Sequence, residues 1–321
     1  MKRLLCLLGL AAGIAQAAVH VDDAKRSVEF KTPPQRVITL APNLTEFVYA
    51  VGAGATLVGT MDTSNYPEEA RRVERIGNYQ RLDVERILAL KPDVVLVWHH
   101  GNQGRELGQL EAAGVKLFYI EPRRVDDVAD SLTRIGALLG HAKQGAERAA
   151  AYRQAFADLR LRYANAAPVS VFFQVWSQPL MTLNGQHLTS DLMAICGGRN
   201  VFASLQALAP QISVESVVAA NPEVFFTARE FDNGATAWQR TPDGEAFRLW
   251  RDFSKLSAVQ RGWMFTVSGD LVTRQGPRAI EGAKAFCAML DEVRRERRHT
   301  SGLVTPPSPT QQPKVASRRS P

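Results

Sequence analysis

The sequence predicts an α/β protein of two similar lobes, each built on a parallel sheet, joined by a single long helix. Three observations carry that expectation. A seventeen-residue stretch occurs twice, as LDVERILALKPDVVLVW (82–98) and ISVESVVAANPEVFFTA (212–228). Glu85 and Glu215, like Pro92 and Pro222, stand 130 residues apart, so the two copies keep one register. Strand-like and helix-like segments alternate over 36–140, the pattern of a parallel α/β unit. Between the copies, 143–164 is free of Pro and carries Ala149, Tyr152, Phe156, Leu159 and Tyr163 on one stripe, the signature of one uninterrupted helix roughly 30 Å long.

The elements follow in order. Residues 1–17, MKRLLCLLGLAAGIAQA, place two cations before an apolar run and end in Ala15-Gln16-Ala17, which reads as a secretory signal peptide with an A-x-A cleavage site. No later stretch reads as a membrane span. Residues 18–35 are polar, with at most one edge strand. Arg36–Leu40 is a compact β-branched run and reads as a buried parallel strand. Ala41-Pro42-Asn43 reads as a loop, and Thr45-Glu46 opens a helix ending at Gly52. A short strand closes at Val58-Gly59, and the EEARRVER segment in the following loop reads as a short helix. The first repeat copy then supplies a helix and the strand Val94–Trp98. Glu106–Ala113 is helical, Val115–Ile120 a strand, and Val125–Leu139 an amphipathic helix.

The pattern restarts after Pro168 with the strand Val169–Val175. Ser190-Asp191 opens the helix DLMAICGG, and the second repeat copy supplies the next helix and strand. A helical region over 236–256, the strand Trp263–Val267 and the helix Ile280–Arg298 complete the second lobe. From His299 the composition turns to Pro, Ser, Thr and Gln, which reads as a disordered tail. The division expected is 1–17 leader, 18–35 N-terminal segment, 36–142 first lobe, 143–165 connecting helix, 166–298 second lobe and 299–321 tail.

Composition narrows the function classes. The 321 residues are 45 % hydrophobic and 22 % charged, as in a soluble globular protein. The net charge of +7 sits largely at the ends, on Lys2, Arg3, Arg294, Arg295, Arg297, Arg298 and the tail. A basic face interleaved with aromatics is missing, so nucleic acid is not an expected partner. No nucleophile elbow, phosphate loop, zincin helix or dinucleotide fingerprint occurs. Export leaves Cys196 and Cys287, which read either as a disulfide or as two separately buried thiols.

His99-His100 stands at a strand end, where α/β ligand sites gather, but sequence supplies no third metal ligand and a solvated loop explains the pair as well. Tyr66, Tyr79, Trp98, Trp176 and Phe231 fall at strand ends and loops, and as a set they suit a large, partly apolar ligand held between two lobes. Glu85 and Glu215 lie in the first turn of matching helices. There they either complement the helix dipole or present paired anionic knobs to Arg sockets of a two-fold partner.

Together, RVITLAPNLTE, VGTMDTSNYP, LDVERILALKPDVVLVW, GNQGRELGQLEAAGVK, CGGRNVF, PQISVESVVAANPE and GPRAI resemble the substrate-binding proteins of metal-chelate ABC importers, and within them the periplasmic cobalamin-binding family, over about residues 36–295. The resemblance implies two Rossmann-like lobes joined by one helix, a cobalamin-like corrinoid carried as transported ligand with no catalytic cofactor, and a periplasmic monomer without enzymatic activity. It implies that Glu85 and Glu215 dock the permease dimer of an inner-membrane ABC importer and that Cys196 and Cys287 form a disulfide. Trp98, Asp270 and Arg274 match ligand contacts of the family, and Tyr79 replaces a Trp. Thr63, Val175 and Ala209 stand where the family has aromatics, with Trp176 beside Val175 as a substitute. A ferric-siderophore or haem receptor of the same fold, with Tyr66, Tyr79 or His99 as axial ligand, is the alternative. An exported α/β enzyme is the remote one.

Overall fold

The structure, a computed structural model, describes residues 18–102, 104–229 and 237–302. The leader, Phe231 and the tail from 303 onward lie outside the described residues. The chain enters as an antiparallel hairpin, β1 (Ala18–Val21) and β2 (Ser27–Phe30). The sequence suggested a single edge strand here. The missing signal is a side-chain turn: Asp22 accepts from the Arg26 backbone N–H at 2.8 Å and from its guanidinium at 3.1 Å. That turn closes a loop too short to show in the hydrophobic pattern.

The first lobe runs β3 (Val37–Thr39), α1 (Pro42–Ala50), β4 (Leu57–Thr60), α2 (Val84–Ala89), β5 (Val94–Trp98), α3 (Arg105–Ala112), β6 (Leu117–Ile120) and α4 (Val125–Leu138). Its sheet is parallel throughout, in the order β4-β3-β5-β6. Helix α1 opens three residues earlier than Thr45 because Pro42, at the first helical turn, brings a preset φ and lacks an N–H that would go unpaired. Thr45 and Glu46 are therefore inside the helix and buried. The EEARRVER segment is a 3-10 turn over Glu68–Arg72.

Helix α5 (Ala142–Tyr163) crosses to the second lobe. It lies against α4 at a glycine contact so close that a Cβ on Gly136 would come within 2.8 Å of the Gly145 Cα. Arg153 pairs with Asp130 at 2.5 Å on the flank of the same contact.

The second lobe runs β7 (Val169–Gln174), β8 (Trp176–Ser177), β9 (Leu180–Met181), α6 (Leu188–Ile195), β10 (Gly198–Asn200), α7 (Val214–Ala220), β11 (Val224–Arg229), β12 (Trp238–Arg240), α8 (Ser257–Arg261), β13 (Met264–Ser268), α9 (Gly269–Val272) and α10 (Ala279–Gly302). Its main sheet has the order β10-β7-β11-β13-β12, parallel except for the β12 edge. Phe172, Phe225 and Trp250 pack edge to face on one side of it, and Phe173, Phe226 and Phe286 on the other.

Three expectations are corrected here. The 236–256 region is not helical: Trp238–Arg240 pairs with β13, and Glu245–Trp250 forms a 3-10 turn. Pro242-Asp243-Gly244 separates the two, and the helix-like spacing of Phe247 and Trp250 comes from that single turn. Helix α6 opens at Leu188, not Ser190, because the His187 Nδ1 caps it by accepting from the Thr189 N–H at 3.1 Å. Helix α10 continues through His299 to Gly302. The basic end of that helix is partly structural. Arg294 is buried and donates to the carbonyls of Ala167 at 2.9 Å and Cys196 at 2.5 Å, while Arg297 donates to that of Pro168 at 3.0 Å.

The repeat is kept in three dimensions. Helices α2 and α7 begin 130 residues apart, as do β5 and β11. Asp83 caps the first by accepting from the Arg86 N–H at 2.9 Å, and Ser213 the second from the Ser216 N–H at 3.2 Å. Each helix is followed by a left-handed residue directly before the Pro, Lys91 (φ 46°) and Asn221 (φ 39°).

A disulfide joins Cys196, at the end of α6, to Cys287 on α10. It closes a loop of 91 residues wholly inside the second lobe. Replacing both cysteines by Ser is expected to destabilise the protein by about 4–5 kcal/mol, from the chain entropy regained by so long a loop. Urea unfolding of the oxidised protein and the double variant checks this, and equal midpoints would refute it.

Candidate functional site

The C-terminal end of β5 in the first lobe meets the segment after β13 in the second at a seam, and strand C-terminal ends are where open α/β sheets place their ligands. Trp98 ends β5 and is held from two directions. Its backbone N–H donates to the Asn102 carboxamide oxygen at 2.8 Å, and the Asn102 NH2 reaches the Leu40 carbonyl at 2.8 Å. Gly101 lies against the indole so closely that a Cβ there would be 1.8 Å from a ring carbon, so no other residue fits beside the ring as placed. The indole N–H crosses the seam to the Gln275 side-chain oxygen at 3.2 Å. The Gln275 Nε2 lies 3.3 Å from the His187 Nε2. Asn43, from the first lobe, donates to the Gln275 backbone carbonyl at 3.2 Å.

Beside this chain stands a buried ion cluster that also spans the lobes. Arg274 pairs with Asp270 at 2.9 Å within the second lobe and reaches Glu46, Asn65 and the Thr63 carbonyl in the first, at 3.2, 2.7 and 3.3 Å. Arg278 reaches both Glu46 oxygens at 3.0 and 2.6 Å, and its guanidinium lies 4.0 Å over the Tyr66 ring. The carboxylates are matched by two guanidiniums and by the Asn65 amide, which is how charges persist at such burial. Behind the cluster a cavity of about 450 Å³ opens along α1, α5 and the start of α10. Its walls are helix faces and the Tyr66-Pro67 corner.

The expected ligand residues thus divide. Trp98, Asp270 and Arg274 come together at the seam, the last two already engaged with first-lobe side chains. Tyr79 is 80 % exposed on a first-lobe loop. Trp176 is 52 % exposed beside the β7 end, and its indole N–H donates to the Gln178 carbonyl at 2.8 Å. Both side chains are therefore open to solvent. His99 packs edge-on to Tyr119, and His100 lies 3.1 Å from Glu121. Among the described residues no group of three or more His, Cys, Asp or Glu is placed to hold a metal ion. Glu46, Asn65, Gln275, Arg278 and His187 were not singled out as site residues from sequence, although Glu46, Asn65 and Arg278 lie in the RVITLAPNLTE, VGTMDTSNYP and GPRAI markers.

Residues 37–271 match the periplasmic binding protein family. The chain belongs to this family. Among relatives of this periplasmic binding protein, the vitamin B12-binding protein of Vibrio cholerae serotype O1 is 33 % identical over 264 residues, covering 82 % of this chain and 92 % of the relative. That of Photorhabdus laumondii is 36 % identical over 259 residues, 81 % of this chain and 89 % of the relative. The crystal structure of the periplasmic vitamin B12 binding protein of Vibrio cholerae superposes with a TM-score of 0.72 at 33 % identity, covering 82 % of this chain and 99 % of that one.

Away from the seam of this binding protein, Glu85 and Glu215 are each the second residue of their helix and both are exposed. The Glu215 carboxyl is held below the usual carboxylate range by hydrogen bonds from its own backbone N–H and the Ser213 hydroxyl. It stays anionic and available to a cation brought from outside. No helix among the described residues is long and apolar enough to cross a membrane.

Proposed function

We propose that this periplasmic binding protein captures a cobalamin-like corrinoid in the seam and delivers it to the permease dimer of an inner-membrane ABC importer. The observation that carries the ligand is the kinship, over nearly the full length of the relatives, with proteins that bind vitamin B12. The site supports it chemically. Indole faces at Trp98 and Trp176 and the phenol of Tyr79 suit a broad, flat, partly apolar ring system. Asp270 and Arg274 offer an acceptor and a donor to amide side chains once their inter-lobe partners give way. The corrinoid is cargo, with no chemistry done on it. Glu85 and Glu215, one per lobe, dock Arg side chains of the two permease subunits. Residues 1–17 act as the leader for export to the periplasm, where the mature chain works as a monomer.

Calorimetry on the mature protein with cyanocobalamin, haemin and a ferric hydroxamate tests the ligand. Tight binding of cyanocobalamin at one site per chain is expected. Binding of haemin or the hydroxamate alone would overturn the corrinoid reading, and turnover of any of the three would overturn the receptor reading.

A further inference from the structure

The polar chain Trp98–Gln275–His187 cannot satisfy all its donors at once. Thr189 is the second residue of α6, so its N–H has no carbonyl partner within the helix, and it donates to the His187 Nδ1 at 3.1 Å. Nδ1 is therefore an acceptor. Burial pushes the His187 pKa down to about 4, so the ring is neutral near pH 7 and its single proton sits on Nε2. That N–H needs an acceptor, and the group 3.3 Å away is the Gln275 carboxamide. On its other side the same carboxamide faces the Trp98 indole N–H at 3.2 Å. Two donors thus converge on an amide that has one oxygen and one NH2.

Either orientation leaves a conflict. With the oxygen on Trp98, the amide NH2 opposes the His187 N–H. With the oxygen on His187, the NH2 opposes the indole N–H. Gln275 is 1 % exposed and its backbone carbonyl is pinned by Asn43, so while the seam is shut the side chain has no solvent to turn to. A donor left without an acceptor at such a place is costly, and an oxygen brought from outside the protein removes the cost.

We infer that Gln275 is a ligand-recognition residue, selecting ligands that bring a carbonyl-type oxygen, of an amide or carboxylate, to the Trp98 indole N–H. With that oxygen in place the Gln275 carbonyl turns onto the His187 N–H, and its NH2 joins the indole in donating to the ligand. All the donors of the chain are then matched. The inference rests on the seam being the ligand site, and it narrows the ligand to one bearing acceptor oxygens on its rim.

The Gln275→Glu variant isolates the effect. A carboxylate accepts from the indole and from His187 together, which removes the conflict, and it has no donor for the ligand. Its affinity for cyanocobalamin is expected to fall about tenfold or more, the worth of a buried donor lost to the ligand. Gln275→Leu, which has neither donor nor acceptor, is expected to fall as well. Equal affinity of wild type and Gln275→Glu would overturn the assignment, since an inter-lobe strut needs only the oxygen. Haemin, whose propionates also bring acceptor oxygens, is titrated in parallel. Haemin binding that is weakened in the same variant, with cyanocobalamin unbound, upholds Gln275 and overturns the corrinoid reading alone. Nitrogen-15 NMR of ligand-free wild type decides the proton position without any ligand: a proton on the His187 Nε2 is expected, and an Nδ1–H tautomer overturns the inference outright.

Discussion

Ala at both Glu85 and Glu215 should abolish ligand uptake into vesicles carrying the partner permease, while ligand affinity in solution stays unchanged. Both carboxylates are exposed in the first turn of their helices and neither belongs to the set of residues that meet at the seam, so ligand affinity has no stake in them. As exposed helix-end acids they contribute too little to the fold for the double variant to unfold. Against desolvated guanidiniums of a partner, the loss of both weakens docking roughly a thousandfold. Single variants should retain partial transport. Docking should also weaken with salt, because the charges attract across solvent before contact. Transport by the double variant at the wild-type rate would return both residues to helix-end status.

Glu46→Ala should be among the most destabilising single substitutions in the chain. The Glu46 side chain is 2 % exposed and is the shared partner of Arg274 and Arg278, themselves 8 % and 12 % exposed. Without it Arg278 loses its carboxylate, and Arg274 keeps Asp270 together with the Asn65 and Thr63 oxygens. Breaking one side of a buried ion group costs about 3–5 kcal/mol, chiefly because the remaining charge is left unmatched. The cost falls on the contact between the lobes, so small-angle scattering should show a wider molecule as well as a lower urea midpoint. Removing Arg278 and Glu46 together should cost less than the two single changes added, as expected for groups that need each other. A loss below about 1 kcal/mol for Glu46→Ala would mean that the cluster is solvated in solution.

What sequence made legible follows the range of the physics involved. The duplicated unit rests on local signals: a capping side chain, a short apolar stripe and a left-handed residue before Pro. Each acts within a few residues, so the register of 130 is the same in sequence and structure. The length of α5 is likewise a local matter of unbroken periodicity. The α6 cap was missed because His is not an ordinary capping residue, and β12 because an edge strand of three residues leaves almost no pattern. Glu46 meets Arg274 across 228 residues and Trp98 meets Gln275 across 177. Contacts of that kind are made by the folding of the lobes and leave no spacing to read. Trp98 was legible because it ends a predicted strand, whereas its partners stand at positions where a polar residue is ordinary.

The glycine contact between α4 and α5 bears on how the molecule moves. Helix α5 is locked to the first lobe along its length, by that contact and by the Asp130 and Asp126 pairs with Arg153 and Arg160. The second lobe's polar anchor on it, the Tyr163 hydroxyl donating to Asp291 at 2.7 Å, lies at the last turn. Mechanically, α5 is a lever arm of the first lobe with its fulcrum at residues 164–168, and a tilt of about five degrees there moves the far end of a roughly 30 Å arm by about 3 Å. The fulcrum is itself clamped by Arg294 on the Ala167 carbonyl and Arg297 on that of Pro168. The connection is thus a stiff spring instead of a free joint, and opening the seam requires work supplied from outside the protein.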